Sequence, residues 1–187
     1  KGNKDPAFDV FFIQAVTGTR IQEVAGLRKC DFTKRSISGK HYHCIEIRPW
    51  SGRGFSVMGD RGGIKTTQSE RVIPLPDAAL SIWKKHSDPA NADPAFPQEE
   101  PRNDKQLWGD RLARRMRDKI PEFQGTHSWR ETLINHLVNA GYSNRIVEML
   151  TGKTGHTTLN PYTSDDLVSM QKAIDKHAAY LNLPSPS

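Results

Sequence analysis

Arg20 and Arg130 occupy matching positions in the sequence. Each falls in the first turn of a predicted helix opened by a capping-box spacing, Thr19 with Gln22 and Ser128 with Glu131. Free backbone N–H groups and the positive dipole end at such a helix start favour a bound phosphate. An arginine there adds two directed donors whose fork matches phosphate oxygens. His127 precedes Arg130 by three residues and is of the type used as a donor or general base. Lys65 lies in "IKTTQSER", near the tip of a predicted hairpin, where a lysine can reach a nucleic-acid groove or protonate a leaving oxygen. Tyr162 closes "LTGKTGHTTLNPYTS", which also holds Lys153 and His156. A phenol attacks only when surrounding cations favour its ionised form. Taken singly, each of these residues is equally what a solvated surface or a half-buried packing position supplies.

The composition sets bounds on that chemistry. The chain has 187 residues, 27 Lys and Arg against 21 Asp and Glu, a net charge of +6 and a pI near 9.4. Such a balance favours polyanionic partners, nucleic acid among them. The length suits one domain with a substantial core. Cys30 and Cys44 form no C-x-x-C pair and fit reduced thiols at least as well as a disulfide. There is no H-E-x-x-H, and "SGRGFSVMGDRGG" lacks the G-K-[ST] of a nucleotide-binding loop. The sequence therefore points to no metal and no cofactor. No apolar run approaches the ~20 residues of a membrane span. The start, "KGNKDPAFDV", contains neither a methionine nor a signal-peptide core, and the chain reads as a soluble fragment of something longer.

The elements that must hold these residues are mostly helical. Asp5-Pro6 reads as a helix start, Phe8, Phe11, Phe12 and Ala15 recur at helical spacing, and Gly18 is the stop. A short helix from Arg20 to about Gly26 follows, with Ile21, Val24 and Leu27 inward. "HYHCIEIRP" is the best strand, and "GIKTTQSERVIPLP" reads as two more joined by a turn at Thr67 to Glu70. Together they predict a small antiparallel sheet of three strands. Asp77 is placed to cap a helix carrying Ala79, Leu80 and Trp83. Residues 88–102, with four prolines, read as a surface connection. "DKQLWGDRLARRMRDKI" returns to helix with Leu107, Leu112, Met116 and Ile120 inside and a cationic outer face. Helices then run from Ser128 to Gly141 and over "SNRIVEML" to Gly152. The tail is amphipathic, with Leu167, Met170, Ile174, Ala178 and Leu181 in one stripe. That stripe is free to dock on its own core or on a neighbouring copy.

The order of these pieces says more than any one of them. "TGTRIQEVAGL" resembles the first arginine box of the tyrosine recombinases, the phage-integrase family. "IKTTQSERVIPLP" is similar to that family's lysine hairpin with its Pro-Leu-Pro exit. "THSWRETLINHLVNAG" is similar to its H-x-x-R helix, and "IVEMLTGKTGHTTLNPYTS" to the segment ending in the nucleophilic tyrosine. The four boxes stand in family order across residues 8 to 164.

The resemblance implies an α+β fold, mainly α-helical with a small three-stranded antiparallel sheet. Residues 1–187 would form the catalytic domain, with 165–187 as C-terminal helix and tail and an N-terminal core-binding domain absent. It implies Arg20, Lys65, His127, Arg130 and Tyr162 as catalytic, with Glu23 supporting the arginine box. The implied activity is metal-independent cleavage and rejoining of DNA through a 3′-phosphotyrosyl link, for integration or excision of a mobile element. The partners would be double-stranded DNA and further copies of the chain, a tetramer on DNA and a monomer as an isolated fragment, in the cytoplasm at the nucleoid of a bacterial or phage host. A type IB topoisomerase, a telomere resolvase, or a DNA-binding module that has lost catalysis are the other readings. One position departs from the family pattern. The usual histidine or tryptophan nine residues before the tyrosine is Lys153 here, whereas His156 is six residues before it. The register favours Lys153 as the catalytic residue, with His156 as the alternative. A second departure is the long "RPWSGRGFSVMGDRGG", where Arg48, Arg53 and Arg61 are available for phosphate contact.

Overall fold

Apolar side chains on every side make the first helix a core element rather than a surface one. In α1 (Pro6–Thr17), Val10, Phe12, Ile13, Ala15 and Val16 are all buried. The computed structural model describes residues 6–48, 70–99, 108–119, 125, 127–152 and 163–183. Helix α1 ends at Gly18, whose φ of +63° is left-handed. A Cβ at Gly18 would stand 3.1 Å from Leu133 Cδ2, so the missing side chain also lets the helix bearing Leu133 approach. Helix α2 (Ile21–Ala25) follows at once, with Ile21, Val24 and Leu27 buried as their spacing predicts.

The sheet comprises β1 (Phe32–Ile37), β2 (Lys40–Ile47) and β3 (Arg71–Pro74), antiparallel in the order β1-β2-β3. Ser38 and Gly39, both with positive φ, form the two-residue turn between β1 and β2, a backbone shape that matches strand twist. The register sets Phe32 against Ile45, and Ile45 against Ile73, so one apolar row crosses all three strands. Of the three strands expected from the sequence, two are observed as β2 and β3. The sequence reading overlooked β1, because "FTKRSI" exposes Lys34, Arg35 and Ser36 and lacks alternation. The arm expected before Thr67 lies outside the described residues.

Asp77 opens a single 3-10 turn (Asp77–Ala79) that runs directly into α3 (Leu80–His86). The described part of 88–102 is more than a surface connection. The backbone of Asn91, Asp93 and Ala95 bonds to Leu27, Lys29 and Cys30, and Ala95, Phe96 and Glu99 are buried. Phe96 is drawn in by the rings of Phe32 and His86, 6.4 and 4.6 Å away between centroids. Helix α4 (Asp110–Lys119) buries Leu112 and exposes Arg114 and Arg117, while Arg115 pairs with the buried Glu99. Leu107 and Ile120 lie outside the described residues. Helices α5 (Ser128–Asn139), α6 (Asn144–Thr151) and α7 (Ser164–Leu181) complete the chain. Glycines with positive φ at 141 and 152 end α5 and α6 where expected.

The result is a mainly α-helical fold with a small three-stranded antiparallel sheet. Helix α7 docks on its own chain, against α1, α5, α6 and β3, with Leu167, Met170, Ala173 and Ile174 inside. Both cysteines are free, and burial pushes the Cys44 thiol up to about 12. Among the described residues no helix is long and apolar enough to cross a membrane.

One buried titratable group secures α7. His177 is 0% exposed, and its Nε2–H donates to the Ala15 carbonyl at 3.2 Å. Its Nδ1 must then accept from Nδ1–H of His136, 3.1 Å away. Burial, with His136 adding to it, pushes the His177 imidazole down to about 4 despite the Ala15 bond. The neutral ring is therefore the folded form. Its contribution is complete above the unfolded value of about 6.5 and is lost as pH falls toward 4. Denaturant titrations across that window are expected to show falling stability, and His177→Gln to flatten that part of the profile.

Candidate active site

Two buried threonine hydroxyls shape the turn between α1 and α2. Thr17 donates to the Ile13 carbonyl at 2.6 Å, and its Oγ1 lies 2.9 Å from Thr19 Oγ1. With Thr19 turned back in this way, the helix cap moves on by one residue. The backbone N–H of Arg20 donates to Glu23 Oε2 at 2.8 Å, and Arg20 Nη1 donates to Glu23 Oε1 at 3.0 Å. The box is thus Arg20 with Glu23, not Thr19 with Gln22. Glu23 serves the cap and the guanidinium together.

Arg71 closes on Glu23 from the opposite side. Its Nη2 is 2.6 Å from Oε2 and its Nη1 is 3.2 Å from Oε1, a two-pronged pair between side chains only 1% and 5% exposed. Burial alone would raise the Glu23 carboxyl. The Arg71 guanidinium, then the Arg20 N–H and charge, more than offset it and hold the group below the ordinary carboxylate range. Arg71 reaches one element further: its Nε donates to the Leu150 carbonyl at 3.0 Å, in the last turn of α6. The sequence reading missed this residue. An arginine beside Val72 and Ile73 reads as an outward strand position, yet Arg71 shares the inward face with Ile73.

Arg130 enters from α5. Its Nη1 donates to the Gly18 carbonyl at 3.1 Å, so the two arginine boxes meet across 112 residues of sequence. The residue is 2% exposed, and its Nη2 is buried with no hydrogen-bond partner among the described residues. Burial first, then the charges of Arg20 and Arg71 against the help of Glu23, lowers its pKa to about 10. Among the described residues three guanidinium groups face one carboxylate, a local excess of positive charge that favours an anion. Arg20 remains 44% exposed and gives the cluster an open side.

The cap of α5 also differs from expectation. Ser128 is the first helical residue, its hydroxyl donating to the Gly125 carbonyl at 2.7 Å. His127 takes the N-cap place, exposed, with no side-chain bond to the cluster among the described residues. Arg48 is engaged by Glu46, together with Arg35, rather than free for phosphate contact. Lys65, Lys153, His156 and Tyr162, with Arg53 and Arg61, lie outside the described residues. The segment that carries Tyr162 leaves α6 at Gly152 and returns at Thr163, which caps α7 in a box with Asp166. No three His, Cys, Asp or Glu side chains gather as a metal site among the described residues. Compared with protein-family models, curated proteins and solved structures, the chain matches none.

Two measurements probe this cluster. Glu23→Ala removes the carboxylate that faces the buried Arg71 charge and is expected to cost on the order of 3–5 kcal/mol in denaturant unfolding. Millimolar sulfate or phosphate is expected to raise the melting temperature of the parent protein. Arg130→Met should abolish that anion-dependent rise.

Proposed function

We propose that this chain is the catalytic domain of a tyrosine recombinase, which cleaves and rejoins double-stranded DNA. One observation carries the reading. Arg130 docks on the carbonyl of the turn that launches Arg20, with a buried donor to spare. Two arginines held together at an open, cationic site suit the nonbridging oxygens of a phosphodiester, and they oppose the charge that builds in its transition state.

In this reading Tyr162 Oη attacks the scissile phosphorus as the P–O5′ bond breaks. The products are a 3′-phosphotyrosyl link and a free 5′-hydroxyl. His127 takes part in removing the phenolic proton, and Lys65 donates a proton to the departing 5′-oxygen. Lys153 hydrogen-bonds the same phosphate where the family has an imidazole. The phosphodiester energy is kept in the covalent link, so the 5′-hydroxyl of a partner strand reverses the step. Exposed Arg114 and Arg117 on α4 add sequence-independent attraction for the DNA backbone. Copies of the chain assemble on DNA as a tetramer.

With the full-length protein and a nicked suicide duplex from the element's own ends, Tyr162→Phe is expected to abolish covalent capture while DNA binding stays largely intact. Persistent capture by that variant would overturn the nucleophile assignment. Site-independent relaxation of supercoiled plasmid would point instead to a topoisomerase built on the same step. Of the two basic residues before the tyrosine, Lys153→Ala should slow capture more than His156→Ala, by about 10-fold or more.

A further inference from the structure

The geometry points to Arg71 as a positioning residue that couples the phosphate-holding arginine to the delivery of the nucleophile. This rests on the recombinase reading above. Arg71 acts through two groups, the Glu23 carboxylate that holds Arg20 and the Leu150 carbonyl ahead of the Tyr162 segment.

All three guanidinium nitrogens are in use. Nη1 and Nη2 grip the Glu23 carboxylate, which in turn holds both the backbone and the side chain of Arg20. Nε holds the carbonyl of Leu150, two residues before the glycine from which the Tyr162 segment departs. Because the guanidinium is planar, these three bonds fix an angle between α2 and the end of α6. A lysine, with one nitrogen on a flexible stem, cannot grip a carboxylate with two prongs and a carbonyl to one side. Arg71 also follows Lys65 by only six residues in the chain.

The neighbouring glycine gives the same message independently. Gly152 has a φ of +65°, and a Cβ there would stand 2.7 Å from Arg71 Nη1 and 3.0 Å from its Cζ. An arginine tip exposed to solvent would swing aside. This one is 1% exposed and held at both ends, so a methyl group at Gly152 must displace either the guanidinium or the start of the segment. Positioning of this kind is felt in the rate rather than in affinity, since misplacing a reacting group by about 1 Å can lower a rate about 100-fold.

The test uses the full-length protein with Arg71→Lys and, as a second route to the same contact, Gly152→Ala. Covalent capture of the nicked duplex is timed at saturating DNA and expressed per folded, DNA-bound molecule, with thermal unfolding giving the folded fraction. Both variants are expected to slow capture by about 100-fold while the DNA Kd moves less than about 3-fold. Capture at the parent rate by whichever variant folds overturns the proposal. So does a loss that vanishes once the folded fraction is taken into account, since it would make Arg71 a structural residue only. Absence of capture by the parent protein itself would overturn the recombinase reading, and this inference with it.

Discussion

The ion pair between Glu23 and Arg71 is the constraint around which the rest of the molecule is arranged. Both side chains are almost wholly removed from water, a state that is tolerable only when each charge is met with good geometry. That requirement dictates the surroundings. Helix α2 must start where Glu23 can cap it, β3 must turn Arg71 inward, and the last turn of α6 must offer a carbonyl to the remaining N–H. An apolar filling of the same space would stabilise a fold as well. What the ionic filling adds is orientation, because hydrogen bonds fix angles where apolar contacts fix only distances.

Arg130 stands in a different energetic position. Glu23 is shared by two other guanidiniums, and among the described residues Arg130 meets the Gly18 carbonyl on one nitrogen. Its charge is helped from a distance by Glu23. Burial and the neighbouring positive charges make that charge the costliest of the three to hold.

How far this was legible in the sequence depends on the type of signal. Helices α1, α5 and α6 announce their ends through Gly18, Gly141 and Gly152, because a left-handed stop leaves few other residues to choose from. The α7 stripe was legible for the same kind of reason, as its apolar spacing repeats over about four turns. The apolar content of β1 is confined to its two ends, and only pairing with β2 reveals it as a strand. Capping boxes were recognisable, but their register was not. Whether Thr19 or Arg20 caps α2 turns on a hydroxyl that pairs with Thr17, and Ser128 spends its hydroxyl on Gly125. Of the candidate site, Arg20, Glu23 and Arg130 are placed together, and His127 is the exposed cap of its helix. Arg71 could not be read at all, since burial of an arginine depends on a carboxylate 48 residues away.

Strand β1 lies at the outside of the sheet among the described residues, and an outer strand offers its backbone to any passing chain. Its early carbonyls are already taken, that of Thr33 by the Trp83 indole and that of Phe32 by the Ser87 hydroxyl. Further along, the exposed Lys34, Arg35 and Ser36 make the remaining edge charged and polar. The feature that hid β1 from sequence inspection therefore also protects the protein from polymerising: the charged edge keeps the chain from extending its own sheet into an aggregate.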